Sequence, residues 1–97
     1  IKLEKIVEKA CHNPAILFKI KDRGRIKEKF FADIVMIDLN SFTNVNPDNI
    51  LYKCGWSPFE GFNFSSKIIS TWINGQCAYS NGSFLEKPTA KPLEFML

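Results

Sequence analysis

One histidine, three scattered cysteines and ten acidic side chains are the groups in this 97-residue sequence that could do chemistry. Histidine is the commonest metal ligand and the commonest general base near neutral pH. A single copy, His12, excludes any His-x-His or His-x-x-x-His metal site within the chain. Cys11, Cys54 and Cys77 form no Cys-x-x-Cys pair of the kind that holds zinc or exchanges disulfides. Their odd number and wide spacing read as reduced thiols, each a small buried hydrophobe. Asp33 and Asp38 frame an apolar run and read as the brackets of a strand, not as a carboxylate pair for acid–base work. Asn63-Phe64-Ser65 and Asn81-Gly82-Ser83 match the glycosylation pattern, a chance match in a cytosolic chain.

The net charge of +3 is unevenly spread. Residues 19–29 hold six basic and two acidic side chains, which leaves the rest of the chain slightly acidic. Clustered cations could hold phosphates, but no aromatic residue lies in this run for base stacking. It reads as a solvated turn, and a nucleic-acid partner is not expected. With 45% hydrophobic and 24% charged residues, the composition is that of an ordinary soluble globular segment, long enough for one small domain. The longest apolar runs, residues 15–18 and 34–37, are far too short to span a membrane. The N-terminus lacks the apolar stretch and small-residue cleavage site of a secretion signal, so a cytoplasmic location is expected.

The elements that must position these groups follow from periodicity. Leu3, Ile6, Val7 and Ala10 recur at the spacing of one helix face, with Lys2, Glu4, Lys5, Glu8 and Lys9 filling the others. Glu4 and Glu8 are a like-charge pair at i,i+4, and Lys5 and Lys9 flank Glu8 closely enough to screen it. Asn13-Pro14 carries a cap-and-proline signature, which places a helix break at His12–Asn13 and a second short helix over 14–18. Ala15, Ile16, Leu17 and Phe18 are its candidate core. Gly24 marks a turn. The run 32–38, rich in β-branched residues and bounded by aspartates, reads as a strand covered on both faces.

Asn46-Pro47-Asp48 repeats the cap signature and predicts a helical turn from 47 to about 52. Residues 54–66 read as a loop pinned by burial of Trp56, Phe59, Phe62 and Phe64. A hairpin then pairs 68–73 with 76–79 across Asn74-Gly75, a dipeptide that tolerates the positive φ a tight hairpin needs. Asn81-Gly82 ends its second strand. The tail, with Pro88 and Pro92, is weakly structured, although Leu93, Phe95 and Leu97 alternate as an edge strand does. One amphipathic helix without a partner, and a few strands without a second layer, do not make an independent fold. The chain reads as part of something larger.

Several segments carry a resemblance in the order they occur. They are Cys11-His12-Asn13-Pro14-Ala15, then Lys21-Asp22-Arg23-Gly24-Arg25-Ile26, then Ala32-Asp33-Ile34-Val35-Met36-Ile37-Asp38. Tyr52-Lys53-Cys54-Gly55-Trp56-Ser57-Pro58-Phe59-Glu60-Gly61, the Asn74-Gly75 hairpin and Leu93-Glu94-Phe95 complete the set. Together they resemble the C-terminal end of the amidohydrolase superfamily, and within it the dihydroorotase and hydantoinase branch. The likeness covers nearly the whole chain. One departure is Lys29, where the family has glycine before the Ala-Asp strand, which implies a reshaped turn.

The resemblance implies an α+β fragment: the final helix of a (β/α)8 barrel plus the C-terminal strands of a small β-sandwich built from both chain ends. Residues 1–29 would be the barrel's C-terminal helices and a turn. Residues 30–97 would be the C-terminal part of the sandwich, with a connecting loop over 41–66. The parent would be a zinc-dependent dihydroorotase that interconverts carbamoyl-aspartate and dihydroorotate in pyrimidine biosynthesis. A hydantoinase-type cyclic amidase, or a non-catalytic scaffold from a metal-less relative, is the alternative. The family's histidine, carboxylated-lysine and aspartate ligands match no position of this sequence. The resemblance therefore implies no catalytic, cofactor-binding or metal residue in this chain, with zinc held elsewhere in the parent. His12 falls between two helices, where the family shows no ligand, and takes a packing or capping role.

The expected partners are the remainder of the barrel and sandwich, with a homodimer possible, and neither nucleic acid nor membrane. A sheet lacking its N-terminal strands would expose an edge and uncover Phe30, Phe31 and Trp72.

Overall fold

In the computed structural model, which describes residues 1–85 and 90–97, the chain begins with a helical arm that does not break where proline predicts. Helix α1 (Leu3–Val7) runs into a wider π-turn (Glu8–His12) and on into α2 (Asn13–Leu17). His12 and Asn13 both keep helical backbone angles, and Asn13 caps nothing with its side chain. The expected break is therefore replaced by a bulge. Pro14 lacks an N–H and its ring crowds the preceding turn, and the π-turn loosens that turn without ending the helix. The Asn13 amide donates back to Glu8 across it. Lys5 Nζ lies 2.7 Å from Glu8 Oε2, the screening contact expected on this face.

The arm ends in a paired set of backbone bonds. Lys19 adopts φ 53°, its amide donates to Ile16 O (3.2 Å), and the Ile20 amide donates to Ala15 O (2.9 Å). This left-handed stop is usually made with glycine, and here a lysine makes it.

A four-stranded antiparallel sheet follows, in the order β1 (Ile34–Asp38), β4 (Lys67–Ile73), β5 (Gln76–Ser80), β6 (Ser83–Phe84). The β4–β5 hairpin turns at Asn74-Gly75, with Ile73 opposite Gln76 and φ of 48° and 79° at the two turn residues. This is the hairpin the sequence predicts. A second turn of the same dipeptide type, Asn81-Gly82 at φ 46° and 90°, does not end the sheet but folds β6 back onto β5. The short ribbon β2 (Thr43–Asn44) with β3 (Asn63–Phe64) frames the long loop. Inside it Asn46 caps a single 3-10 turn, Pro47–Asn49, accepting from the Asp48 amide while Asn49 caps in return. The predicted turn is there, shorter than its expected reach to 52. The tail bridges back to the arm at Ile20–Phe95, not to the sheet. Pro88, part of that tail expectation, lies outside the described residues.

Burial departs from expectation at several positions. Of the predicted core residues 15–18 Ala15 alone is buried, while Ile16, Leu17 and Phe18 are exposed. Strand β1 pairs with β4 on one side, and its other edge has no strand partner among the described residues; Val35, Met36 and Ile37 are exposed on faces expected to be covered. Cys11 and Cys54 are exposed and only Cys77 is half-buried. Trp56, Phe59, Phe62 and Phe64 are exposed as well, although the three phenylalanines pack on one another with ring centroids 5.7–6.2 Å apart.

The whole chain exposes 8227 Å². A compact protein of its mass would expose about 5,700 Å². Its radius of gyration, 15.5 Å, likewise exceeds the roughly 12.5 Å of a compact domain of this length. Among the described residues no helix is long and apolar enough to cross a membrane.

Candidate functional site

Two oppositely charged side chains meet where the basic turn meets the sheet. Gly24 makes this possible. At φ 89° it folds the turn back against the arm so closely that a Cβ there would lie 2.5 Å from Ala15 Cβ and 2.9 Å from Cys11 O. Its neighbour Arg23 is thereby pointed across the molecule instead of into water. Arg23 Nη1 donates to Asp33 Oδ2, and Arg23 Nη2 donates to Lys91 O at 3.2 Å. The guanidinium carbon stands 4.2 Å from the centre of the Phe31 ring, within cation–π range. Asp33 Oδ1 accepts from the Asn74 amide (2.8 Å) at the tip of the β4–β5 hairpin. The Gly75 amide donates to Ala32 O alongside it (3.1 Å).

The Arg23 side chain is only 12% exposed, so the expectation of a wholly solvated basic run fails at its centre. Phe30 and Phe31 are half-buried, not stripped bare: Phe31 lies against Arg23, and Lys27 stands 5.5 Å from the Phe30 ring centre. Trp72 is exposed as expected, with its indole N–H donating to Ser70 Oγ at 3.1 Å.

Beside the junction lies a cavity of about 290 Å³ whose wall includes Asp22, Lys29, Phe30, Phe31, Asn74 and Gly75. Lys29 sits there at φ 68°. The turn therefore takes a left-handed geometry at a residue that carries a side chain, and the lysine bears the strain. Lys29→Gly is expected to stabilise the fold by about 1 kcal/mol, read as a rise in the urea midpoint at unchanged m.

This arrangement ties the basic turn, the entry to β1 and the hairpin tip together. Asp33 is paired with a guanidinium and an amide, and Asp38 caps the turn after β1 by accepting from the Asn40 amide (2.8 Å). His12 ends the π-turn of the arm. Among the described residues no group of three His, Cys, Asp or Glu side chains could hold a metal ion. A second hollow, about 490 Å³ and almost wholly apolar, runs along the arm between Ile1, Ile6 and Ala10 with Lys5 and Lys9 at its rim.

The Arg23–Asp33 contact was not foreseeable from motif spacing.

Comparison with known proteins decides the family. The amidohydrolase family profile matches residues 1–78. The chain belongs to the amidohydrolase family. A dihydroorotase of Pyrococcus furiosus is 35% identical to this amidohydrolase segment over 91% of the segment and 21% of that protein. A dihydroorotase of Methanothermobacter thermautotrophicus is 30% identical over 89% of the segment and 20% of that protein. An allantoinase of Desulfitobacterium hafniense is 30% identical over 94% and 20%. The chain spans about a fifth of the length of the curated relatives it matches. The segment is dihydroorotase-like, an α+β piece of a hydrolase family.

Proposed function

We propose that this segment is the C-terminal part of a zinc-dependent dihydroorotase of the cytoplasm and supplies structure to it, not catalysis. The helical arm would be the closing helix of the barrel, and the sheet would form part of the small sandwich. The metal, held by residues outside this chain, would supply hydroxide near neutral pH for opening the cyclic amide. What this chain's own residues do is hold shape: the arm offers Leu3, Ile6 and Val7 for burial, and the Arg23–Asp33 junction sets the sheet against the arm. The observation that carries the reading is the 35% identity to a dihydroorotase over nearly the whole segment. The remaining length of such a protein would house the reaction.

The test is an assay of the complete protein with zinc on dihydroorotate, beside residues 1–97 alone. Turnover by the complete protein and none by the segment is expected. Metal-dependent turnover by the segment alone overturns the structural role. The allantoinase match favours one second reading, a related cyclic amide as substrate, which turnover of allantoin in place of dihydroorotate would select. Turnover of neither ring would support a non-catalytic scaffold.

A further inference from the structure

We propose that the Arg23 guanidinium is a latch holding the C-terminal strap, residues 90–97, in fixed relation to both the sheet and the helical arm. The inference stands on this chain's own geometry and does not depend on the proposed activity. Arg23 springs from the turn that Gly24 presses onto the arm. One of its terminal nitrogens bonds Asp33 at the entry to β1, and the other bonds Lys91 O at the start of the strap. The same carboxylate reaches the hairpin tip through the Asn74 amide. Turn, sheet and strap thus meet at a single side chain, seated on Phe31.

Among the described residues, two further backbone bonds and one ion pair tie the strap to the turn. The Lys21 amide donates to Glu94 O and the Met96 amide to Lys19 O, each at 2.8 Å. The Lys21–Glu94 ion pair is 3.8 Å long and solvent-exposed. Leu93, Phe95 and Met96 are all about half exposed, so apolar burial does little to fix the strap. A segment with so little buried surface opens at lower free energy than the sheet. A planar fork with two separated donors can serve two acceptors at once, which a lysine ammonium on its flexible stem does poorly. Loss of the fork should therefore release the strap before it disturbs the sheet.

Hydrogen exchange in the complete protein tests the latch, comparing the natural sequence with Arg23→Lys and Asp33→Asn. In both variants the Lys21 and Met96 amides should exchange about tenfold faster, because the bond to Lys91 or the pair that aims it is lost. The Asn81 and Leu85 amides, which close the β4–β5–β6 turns onto Ile69 O and Ala78 O, should change by less than about twofold. Asp33→Asn keeps an oxygen for the Asn74 amide and so isolates loss of the ion pair. Unchanged strap protection in either variant overturns the latch. A uniform acceleration at all four amides also overturns it, since Arg23 would then support the fold as a whole.

Discussion

Replacing Gly24 by alanine should cost about 3 kcal/mol of stability, the sum of a left-handed backbone penalty and an overpacked contact. Glycine occupies φ 89° there without a Cβ to object. An alanine Cβ would meet Ala15 Cβ at 2.5 Å and the Cys11 carbonyl oxygen at 2.9 Å, and neither belongs to a flexible side chain that can swing away. Relief requires the turn to lift off the arm. That movement would withdraw Arg23 from Asp33 and Lys91, so the local clash would spread into the junction. Gly55→Ala is the control: φ is 70°, but nothing lies within 4 Å of the added Cβ. Only the backbone penalty of about 1 kcal/mol applies there. Urea unfolding of the complete protein should separate the two variants clearly. Equal midpoints would show that the close approach of turn and arm is not maintained in solution.

Local signals in this sequence read well, and long-range ones do not. Asn74-Gly75 named its hairpin because the turn chemistry lies in two adjacent residues. The same chemistry at Asn81-Gly82 called for a further strand, but β6 has two residues, too few to show alternation. Asn46 announced its cap correctly, since the bond it makes reaches only two residues on. Asn13-Pro14 carried the same local signature and misled, because the arm absorbs Pro14 with a π-turn and no cap is needed. The junction lay beyond such reading. Arg23 and Asp33 meet only through the backbone path that Gly24 imposes, and Lys91 arrives from far along the chain. In the candidate core, apolar type identified which side chains want burial but not whether this chain contains their cover. Ala15 is covered by the Gly24 turn; Ile16, Leu17 and Phe18 are exposed.

That missing cover gives the second large expected effect. The chain exposes about 2,500 Å² more than a compact protein of its mass. This excess is larger than the roughly 1,600 Å² that a standard stable interface buries in total. Apolar side chains contribute to it along the whole chain. Leu3, Ile6 and Val7 line the arm, and Val35, Met36 and Ile37 lie on an edge strand. Phe59, Phe62 and Phe64 form an aromatic cluster open to water. An edge strand of this kind carries unpaired backbone donors and acceptors and recruits another strand readily. Exposed apolar patches of this extent associate in water.

These faces therefore need a body larger than residues 1–97 to cover them. Light scattering on the purified 97-residue chain, in parallel with the complete protein, measures this directly. The chain alone should dimerise or aggregate, while the complete protein should be monodisperse. A monodisperse, stable monomer from residues 1–97 alone would contradict it.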